Sequence, residues 1–420
     1  MKNLFTLKNL NFLFAITIAV VLISCSDSND PAEDPNEIKI GVLLCKTGTG
    51  ASNAEETEAA INIALNEINL YFQNTSSKLK FKLVIEDTKT DTNVCLEKLK
   101  SFKEKKIKFV VGPYTSAELA AIKDYANQNE MLLLSHSAVA ISLAIPNDNV
   151  YRMAPCDSLQ AKAITKMLNF SGITALVSLI RNDLWGKELN AATQSLFIQQ
   201  GGRANSTVSF GPDNTYGFED IVSLVDGDVR GLKQNYNYND LEIGCYFLSM
   251  DEGVKYLRLV KSYNDLKQVR WFGGSAFAMN KQVLQDTDAA EFCYHSQLTC
   301  PIFALDPNAE NRWSAIKNLI KSRIGREPSA YAINAYDALW LYALAYGEAG
   351  KDAEFAALKQ AFLTKSNNYD GASGKVKFDA NGDRTNVNYD FWGVEKNESI
   401  YFWEKRAEYN TSTDELLILK

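Results

Sequence analysis

Strand-like and helix-like segments alternate along most of the chain, and this alternation is the feature that most constrains its fold. Apolar strand-like runs at residues 38–44 and 81–87 are separated by residues 55–69, where apolar side chains recur at helical spacing. Repeated β-α-β order requires parallel strands that are covered by helices on both faces. The sequence therefore predicts an α/β protein built on doubly wound parallel sheets.

The alternating pattern occurs twice. In the first series we predict further strands at 109–112 and 131–135 and helices at 92–105 and from Ser116 onward. The second series gives strands at 174–180, 206–210, 243–248 and 269–272 and helices at 186–200, 218–232 and 253–264. Further helices are predicted at 309–324 and 331–347, and the second sheet alone cannot account for so many helices. We therefore expect two lobes, several chain crossings between them, and a ligand cleft at the carboxyl ends of the strands.

The first 25 residues differ from the rest of the chain. Lys2 and Lys8 give a positively charged start and precede an apolar run at 12–23. This run is too short to cross a bilayer core of about 30 Å but suits a signal peptide. The run ends in Leu22-Ile23-Ser24-Cys25, which resembles a bacterial lipobox, whose cysteine takes a diacylglycerol before cleavage. We expect residues 1–24 to be a lipoprotein signal peptide and Cys25 to carry the lipid. The alternative is an ordinary signal peptide with an incidental cysteine.

Residues 25–37 form a polar, acidic segment that includes Pro31 and Pro35. Such a segment buries too little apolar surface to fold, so we expect a flexible tether. It resembles the acidic signal that carries some Bacteroidetes lipoproteins to the cell surface, and a plain spacer fits equally well. The protein is expected to be lipid-anchored in the cell envelope, on the periplasmic face or the cell surface.

Charge and cysteine content exclude several classes of protein. The formal net charge is −7, so the chain has no excess of cations to neutralise phosphates, and we expect no nucleic-acid partner. Six cysteines follow Cys25: Cys45, Cys95, Cys156, Cys245, Cys293 and Cys300. Their even number proves no disulfide, although Cys293 and Cys300 are the best candidate pair. No C-x-x-C occurs, which argues against a zinc or redox motif.

The sequence contains no complete motif for catalysis or for cofactor binding. Gly48-Thr49-Gly50 follows a strand, but Asn53 occupies the third glycine position of a dinucleotide loop. The spacing of Asp379, Asn381 and Asp383 opens a calcium loop, but Arg384 stands where glycine is needed, so a turn between strands is favoured. No G-x-S-x-G elbow occurs. We expect no enzymatic activity, no cofactor and no metal.

Several motifs occur in the order and spacing of one protein family. They are Thr47-Gly48, Val110-Val111-Gly112-Pro113-Tyr114-Thr115-Ser116, Asn182-Asp183-Leu184-Trp185-Gly186, Ala335-Tyr336-Asp337-Ala338 and residues 374–383. From about residue 38 to 403 the chain resembles the type I periplasmic binding proteins of the leucine/isoleucine/valine type, which serve ABC importers. The resemblance implies one lobe from 38–155 plus 301–388, a second from 156–300 plus 389–420, and a hinge that closes on ligand.

The same resemblance implies which first-lobe residues bind ligand. Ser116 matches the serine that holds a ligand carboxylate, with Thr47 in the preceding turn; alternatively, Ser116 is simply the N-cap of its helix. Ser135 and Ser137 fall in the loop that binds an amino-acid head group. In this loop Val139 replaces the family's threonine. His136 replaces its proline, and a packed histidine is favoured over a pH-sensitive contact.

Departures from the family concentrate on the other side of the cleft. The family's acid for the ligand ammonium aligns with Ser275, its lobe-2 tyrosine with Ser249, and its first-loop aromatic residue with Asn53. An uncompensated ammonium group in a closed cleft costs several kcal/mol. The resemblance therefore requires a substitute acid, for which Asp157, Asp251 and Glu252 are candidates; otherwise the ligand is not a standard α-amino acid.

Aromatic residues complete the expected pocket. Trp185, Tyr114 and Phe277 are possible walls, and equally possible core residues. The predicted ligand contacts are thus Thr47, Asn53, Tyr114, Ser116, Ser135, Ser137, Asp157, Trp185, Ser249 and Ser275. The expected function is capture of a small polar ligand, an amino acid or a similar molecule, for an ABC permease. The alternative is an envelope regulatory or sensory lipoprotein that uses the same fold to bind a protein.

Overall fold

A parallel sheet forms the core of the first lobe. The computed structural model describes residues 34–212, 217–385 and 387–419, so Cys25, the signal peptide and most of the predicted tether lie outside it. The strands are β1 (Glu37–Leu44), β2 (Lys80–Asp87), β3 (Phe109–Val111), β4 (Leu132–Ser135) and β5 (Val150–Arg152), and the helices between them are α1 (Ala51–Gln73), α2 (Thr92–Glu104) and α3 (Ser116–Gln128). The order across the sheet is β2-β1-β3-β4-β5, with every pair parallel.

Both faces of this sheet are buried, as a parallel sheet requires. Neighbouring residues of β1 point to opposite faces, so Val42 joins one apolar cluster with α1 whereas Leu43 joins another with α2 and α3. Burial on both faces explains why the strands consist of nearly uninterrupted apolar residues.

A second sheet begins after a 3-10 turn (Ile141–Leu143) and helix α4 (Asp157–Phe170). Its strands are β6 (Ala175–Arg181), β7 (Arg203–Phe210), β8 (Ile243–Leu248), β9 (Arg270–Gly273) and β10 (Thr299–Phe303). The intervening helices are α5 (Leu184–Gln199), α6 (Phe218–Tyr236), α7 (Gly253–Val260), α8 (Asn264–Gln268), α9 (Lys281–Gln285) and α10 (Thr287–His295). The expected boundary at 300/301 falls inside β10, which continues the second sheet to Phe303.

The chain then returns to the first lobe. A 3-10 turn (Pro307–Ala309) leads to α11 (Glu310–Ile324), α12 (Ala330–Ala349) and α13 (Phe355–Asn367), and α11 and α12 pack against α1. Two short strands, β11 (Asp370–Gly371) and β12 (Gly374–Lys375), form a hairpin. Strands β13 (Tyr389–Asn397), β14 (Ile400–Asn410) and β15 (Glu415–Ile418) then rejoin the second sheet.

The predicted α/β class with doubly wound parallel sheets is confirmed, with one addition. The second sheet has the order β15-β14-β13-β10-β9-β8-β6-β7, and β13–β15 pair antiparallel. Glu398 and Ser399 alone connect β13 to β14, and Glu398 has φ 54°, as the tight hairpin needs. The predicted helix at 253–264 ends at Val260, before α8 begins.

Several expectations concern groups that the fold buries. The six described cysteines are free, including Cys293 on α10 and Cys300 on β10, so the candidate disulfide is not formed. Both side chains are fully buried in the apolar core, where a thiol packs as a small apolar group.

Within the described ranges, no helix is long and apolar enough to cross a membrane, and no cluster of three potential metal ligands occurs.

Candidate functional site

Each sheet has a point at which the order of its strands reverses, and these two points face each other. Strand order reverses between β1 and β3 in the first sheet and between β6 and β8 in the second, and ligands of open α/β sheets bind at such points. Two hydrogen bonds join the corresponding loops across the cleft: Asp251 N–H donates to the Thr49 carbonyl at 3.1 Å, and Ser52 N–H donates to Asp251 Oδ2 at 3.0 Å. The lobes are therefore closed on each other.

Arg181, the last residue of β6, forms a further link between the lobes. Its Nη1 donates to Thr49 Oγ1 at 2.9 Å and to Glu252 Oε1 at 3.0 Å, and its Nε donates to Asp183 Oδ2 at 2.5 Å. The Arg181 side chain is only 4% exposed, so these bonds are shielded from water. Neither Thr49 nor Arg181 was among the predicted ligand contacts, since nothing in the local sequence reveals a pairing across 132 residues.

The loop after β3 is built differently from the prediction. Thr115, not Ser116, is the N-cap of α3 and forms a capping box with Glu118, so the expectation that Ser116 is the N-cap is wrong. The Ser116 hydroxyl instead accepts hydrogen bonds from Val139 N–H and Ala140 N–H, both at 3.1 Å. Ser116 thereby fixes the loop after β4, and its hydroxyl hydrogen is left to donate.

The two other predicted serines of the first lobe also hold loops in place. Ser135 Oγ donates to the Pro113 carbonyl at 2.7 Å and accepts from Ala138 N–H at 2.9 Å. Ser137 Oγ donates to the Tyr114 carbonyl at 2.7 Å. Both hydroxyl groups therefore have protein partners, and their arrangement shapes the first-lobe wall of the cleft.

The Tyr114 ring lies between the buried His136 and Tyr331 in a chain of ring contacts. The Tyr114 ring centroid lies 5.9 Å from that of His136 and 6.2 Å from that of Tyr331, and the Tyr114 hydroxyl accepts from Asn53 Nδ2 at 2.6 Å. Neither ring nitrogen of His136 has a hydrogen-bond partner among the described residues. Burial lowers the pKa of His136 to about 3, so the ring is neutral and offers one donor and one acceptor.

A fully buried carboxyl group lies on the second-lobe side. Asp157 is the first residue of α4, and its Oδ1 accepts from Gln160, whereas Oδ2 has no described partner. Gln160 also binds Ser275, donating to its hydroxyl at 3.2 Å and accepting from its N–H at 2.8 Å. Burial raises the pKa of Asp157 well above its ordinary value, because the charged form loses its hydration.

Tyr331 connects the two halves of this polar group. It lies in the first turn of α12 and stacks edge-on against Tyr114. Burial raises the pKa of Tyr331, and a hydrogen bond with Ser275 acts in the opposite direction. Neither Tyr331 nor Gln160 was predicted, because each lies on a helix whose sequence reads as an ordinary core segment.

The other two candidate acids have more protein donors, although Glu252 Oε2, like Asp157 Oδ2, has no hydrogen-bond partner among the described residues. Asp251 accepts from Ser52 N–H and from Asn280 Nδ2 at 2.8 Å, so both of its oxygens have partners. Glu252 Oε1 accepts from Arg181 and from the Ser249 hydroxyl at 3.2 Å. Of the three candidate acids, Asp157 therefore has the least compensation by protein donors.

Three residues considered for the pocket have other contacts within their own lobes. Thr47 is exposed, and its N–H and hydroxyl both donate to Asp87, the last residue of β2, at 3.2 and 2.7 Å. Phe277 is fully buried and packs 5.4 Å from Phe247, so it belongs to the core of the second lobe. Trp185 is 3% exposed and joins the same apolar core.

The central group defined by His136, Asp157, Ser275 and Tyr331 is suited to binding rather than to catalysis. It contains a neutral imidazole, a carboxyl group with a spare oxygen and two hydroxyl groups, all shielded from water. Buried polar atoms without partners are destabilising unless something satisfies them. A small polar molecule enclosed between the lobes would supply the missing hydrogen bonds.

Comparisons with known proteins agree with this architecture. A family model described as the receptor family ligand binding region matches residues 56–225 and 250–397. The uncharacterised protein MJ1266 of Methanocaldococcus jannaschii is 28% identical over 376 residues, which cover 86% of this chain and 87% of the relative.

Solved structures of low sequence identity share the fold. LivJ of Streptococcus pneumoniae, a branched-chain amino acid transporter substrate-binding protein in complex with isoleucine, has a TM-score of 0.69 at 19% identity, covering 88% of this chain and 99% of its own. The leucine-binding protein LivK of Thermotoga maritima has a TM-score of 0.71 at 18% identity, covering 91% and 99%. A solute-binding protein of Rhodopseudomonas palustris, in complex with 3,4-dihydroxybenzoic acid, has a TM-score of 0.70 at 16% identity, covering 90% and 98%.

Proposed function

Since the chain belongs to the receptor ligand-binding-region family, a family of ligand receptors rather than enzymes, we propose that it captures a small amino-bearing solute in the interlobe cleft for an ABC importer. An amino acid or a similar molecule fits this description. The proposal includes lipid attachment at Cys25 and a position at the periplasmic face or the cell surface.

The observation that carries the proposal is the incomplete satisfaction of Asp157. Among the described residues, Gln160 alone donates to its buried carboxyl group, and Oδ2 has no partner. A protonated amine supplies both a compensating charge and further hydrogen bonds, and charge-assisted bonds are the strongest that a ligand makes in a shielded site. Asp157 would thus take the role of the acid that Ser275 replaces.

The first-lobe side of the cleft fits the remainder of such a ligand. The Ser116 hydroxyl keeps a hydrogen to donate, and the buried His136 ring offers one donor and one acceptor. Two structures of this fold, those of LivJ and of a Desulfitobacterium hafniense protein, hold isoleucine and leucine respectively. These features favour a ligand that combines an amino group with a hydrogen-bond acceptor.

Thermal unfolding with a ligand panel tests the proposal. The panel contains amino acids, amines, carboxylates without an amine, nucleosides and sugars. A ligand at about a thousand times its dissociation constant should add roughly 4 kcal/mol to the free energy of unfolding. We expect the shift with an amino-bearing compound and its loss in Asp157→Asn, whereas Asp220→Asn, at an exposed position of α6, should keep it.

Two results would contradict the proposal. One is a ligand response that survives unchanged in Asp157→Asn. The other is a panel in which no compound shifts the transition and native mass spectrometry finds no co-purified ligand. The second result would direct attention to a protein partner in the envelope, as a regulatory or sensory lipoprotein requires.

A further inference from the structure

A second cavity lies away from the cleft, between two segments in which the chain passes from one lobe to the other. It has a volume of about 560 Å³. Ala304–Pro307, which follow β10, form one wall, and the other includes Arg384, Thr385, Val387 and Asn388, which precede β13. No residue of the central group around Asp157 lines it.

The floor of this hinge cavity contains a buried guanidinium. Arg384 is 5% exposed. Its Nη1 donates to Asn334 Oδ1 at 3.0 Å and to Ser373 Oγ at 2.9 Å, and its Nη2 donates to the Ser373 carbonyl at 3.0 Å. Its Nε has no hydrogen-bond acceptor among the described residues. All of its bonds go to uncharged groups.

The charge balance of Arg384 differs from that of the other deeply buried arginines. Arg152 binds Asp383 at 2.6 Å, and Arg181 binds both Asp183 and Glu252. In the part of the chain that the structure describes, no carboxylate lies within ion-pair distance of Arg384. An unpaired buried charge is costly, and a small anion is the chemical group that would compensate it.

The nearest carboxylate does not take this role directly. Asp337 acts on Arg384 through its field, but Ser373 lies between them and bonds to both. Asp337 already accepts from Tyr369 Oη at 2.9 Å, Ala372 N–H at 2.8 Å and Ser373 N–H at 2.7 Å. Its hydrogen-bonding capacity is therefore used by other donors.

Two further cations line the cavity. Lys375 and Lys377 are exposed, and neither forms an ion pair with a described residue. The acids in the lining are Asp306, whose negative charge also acts on Arg384, and Asp370, which is paired with Arg312 at 2.5 Å. Cations therefore predominate here, although the whole chain carries a formal charge of −7.

We infer that the hinge cavity binds a small anion, a carboxylate or a phosphate, between the two lobe crossings. Guanidinium groups suit both anions because their planar donors match the oxygen geometry. This site goes beyond the proposed function and does not depend on it. An anion bound there lies beside both crossings and would stabilise their relative arrangement.

Isothermal titration with sodium phosphate and with sodium succinate tests the site, with sodium chloride at equal ionic strength as the reference. We expect one saturable site for at least one of the two anions. The anion that binds shows whether the site takes a phosphate or a carboxylate. Because Arg384 also holds neighbouring backbone, the test variant is the double substitution Lys375→Glu and Lys377→Glu. We expect at least tenfold weaker binding in this variant.

A matched double substitution separates the site from general charge effects. Lys187→Glu with Lys267→Glu makes the same charge change at exposed positions of the second lobe and should leave the affinity within twofold. The inference is overturned if neither anion gives saturable heat, or if both double variants bind equally. Asp157→Asn should keep the anion response, so failure of the cleft proposal and failure of the hinge site give different results.

Discussion

At the scale of single residues, His136 shows how burial decides chemistry. The residue follows β4 and is 1% exposed, and neither of its ring nitrogens has a hydrogen-bond partner in the part of the chain that the structure describes. Asn334 Nδ2 donates to its backbone carbonyl at 3.2 Å, which fixes the loop without satisfying the ring. Desolvation alone therefore keeps the imidazole neutral, and protonation of the ring would destabilise the folded state.

The pH dependence of stability tests this description of His136. In the folded protein the pKa of His136 is about 3, below the ordinary value of about 6.5. The contribution of the neutral ring to the free energy of unfolding is therefore complete above pH 6.5. It is lost as the pH falls below 6.5, because the unfolded chain then takes up a proton that the folded protein does not. Linkage predicts a loss of about 1.4 kcal/mol by pH 5.5 from this group. Urea unfolding at pH 7.5 and 5.5 should show that difference in the wild type and not in His136→Phe.

The second histidine provides the control. His295 is exposed at the end of α10, so His295→Gln should keep the pH dependence of the wild type. Equal losses of stability in the wild type and in His136→Phe would show that the buried ring does not titrate with the fold.

At the scale of elements, a turn in the segment that leads to β13 lies against β5, the edge strand of the first sheet. Residues 379–384 form the turn that the sequence favoured over a calcium loop, and Asp383 pairs with Arg152 of β5. Arg152 Nε and Nη2 donate to the two carboxylate oxygens of Asp383, each at 2.6 Å, and both side chains are almost fully buried. This pair fastens the crossing segment to the sheet.

Removing one partner of a buried ion pair leaves the other charge unpaired. Asp383→Asn should therefore lower the free energy of unfolding by about 3 kcal/mol. The exposed pair Lys321–Glu327, at 3.3 Å, provides the comparison, and Glu327→Gln should cost about 1 kcal/mol or less. Urea denaturation measures both changes, and similar costs for the two substitutions would contradict the structural role of the buried pair.

At the scale of the whole molecule, a few contacts hold the lobes together. Asp251 and Arg181 lie at the ends of second-lobe strands and bind Thr49 and Ser52 of the first lobe. Hydrogen bonds to charged groups contribute about 1.5–3 kcal/mol each. These shielded polar contacts therefore contribute to the closed arrangement, beside the bond from Ser142 N–H to Glu188 Oε2 at 3.0 Å and the packing of Leu184 against the apolar cluster of the first lobe.

Substitution of Asp251 should shift the molecule toward the open arrangement. Asp251→Ala removes the bonds from Ser52 and Asn280, and we expect a larger radius of gyration in small-angle X-ray scattering. The rim pair Lys281–Glu55, at 2.7 Å, is partly solvated, so Lys281→Met should change the radius much less. An unchanged radius in Asp251→Ala would mean that other contacts dominate closure.

The sequence by itself determined the fold class, because apolar periodicity is a local property that each strand and helix carries along the chain. The strands at 243–248 and the helix start at Ser116 follow directly from such patterns. The antiparallel strands β13–β15 were missed because their residues read as a mixed polar segment. Strand β13 pairs with β10, where Phe303 lies opposite Tyr389, 86 residues later in the chain, and β14 and β15 add to β13 in turn.

The composition of the site was decided only by the tertiary structure. Ser116, Ser135 and Ser137 lie in the predicted loops, but their hydroxyl groups bind neighbouring backbone, which no local pattern reveals. Thr47 binds Asp87, whereas Arg181 and Tyr331 reach the cleft from elements far away in sequence. Secondary structure follows from nearest neighbours along the chain, whereas burial, partners and charge compensation depend on which distant segments the packing of two lobes brings together.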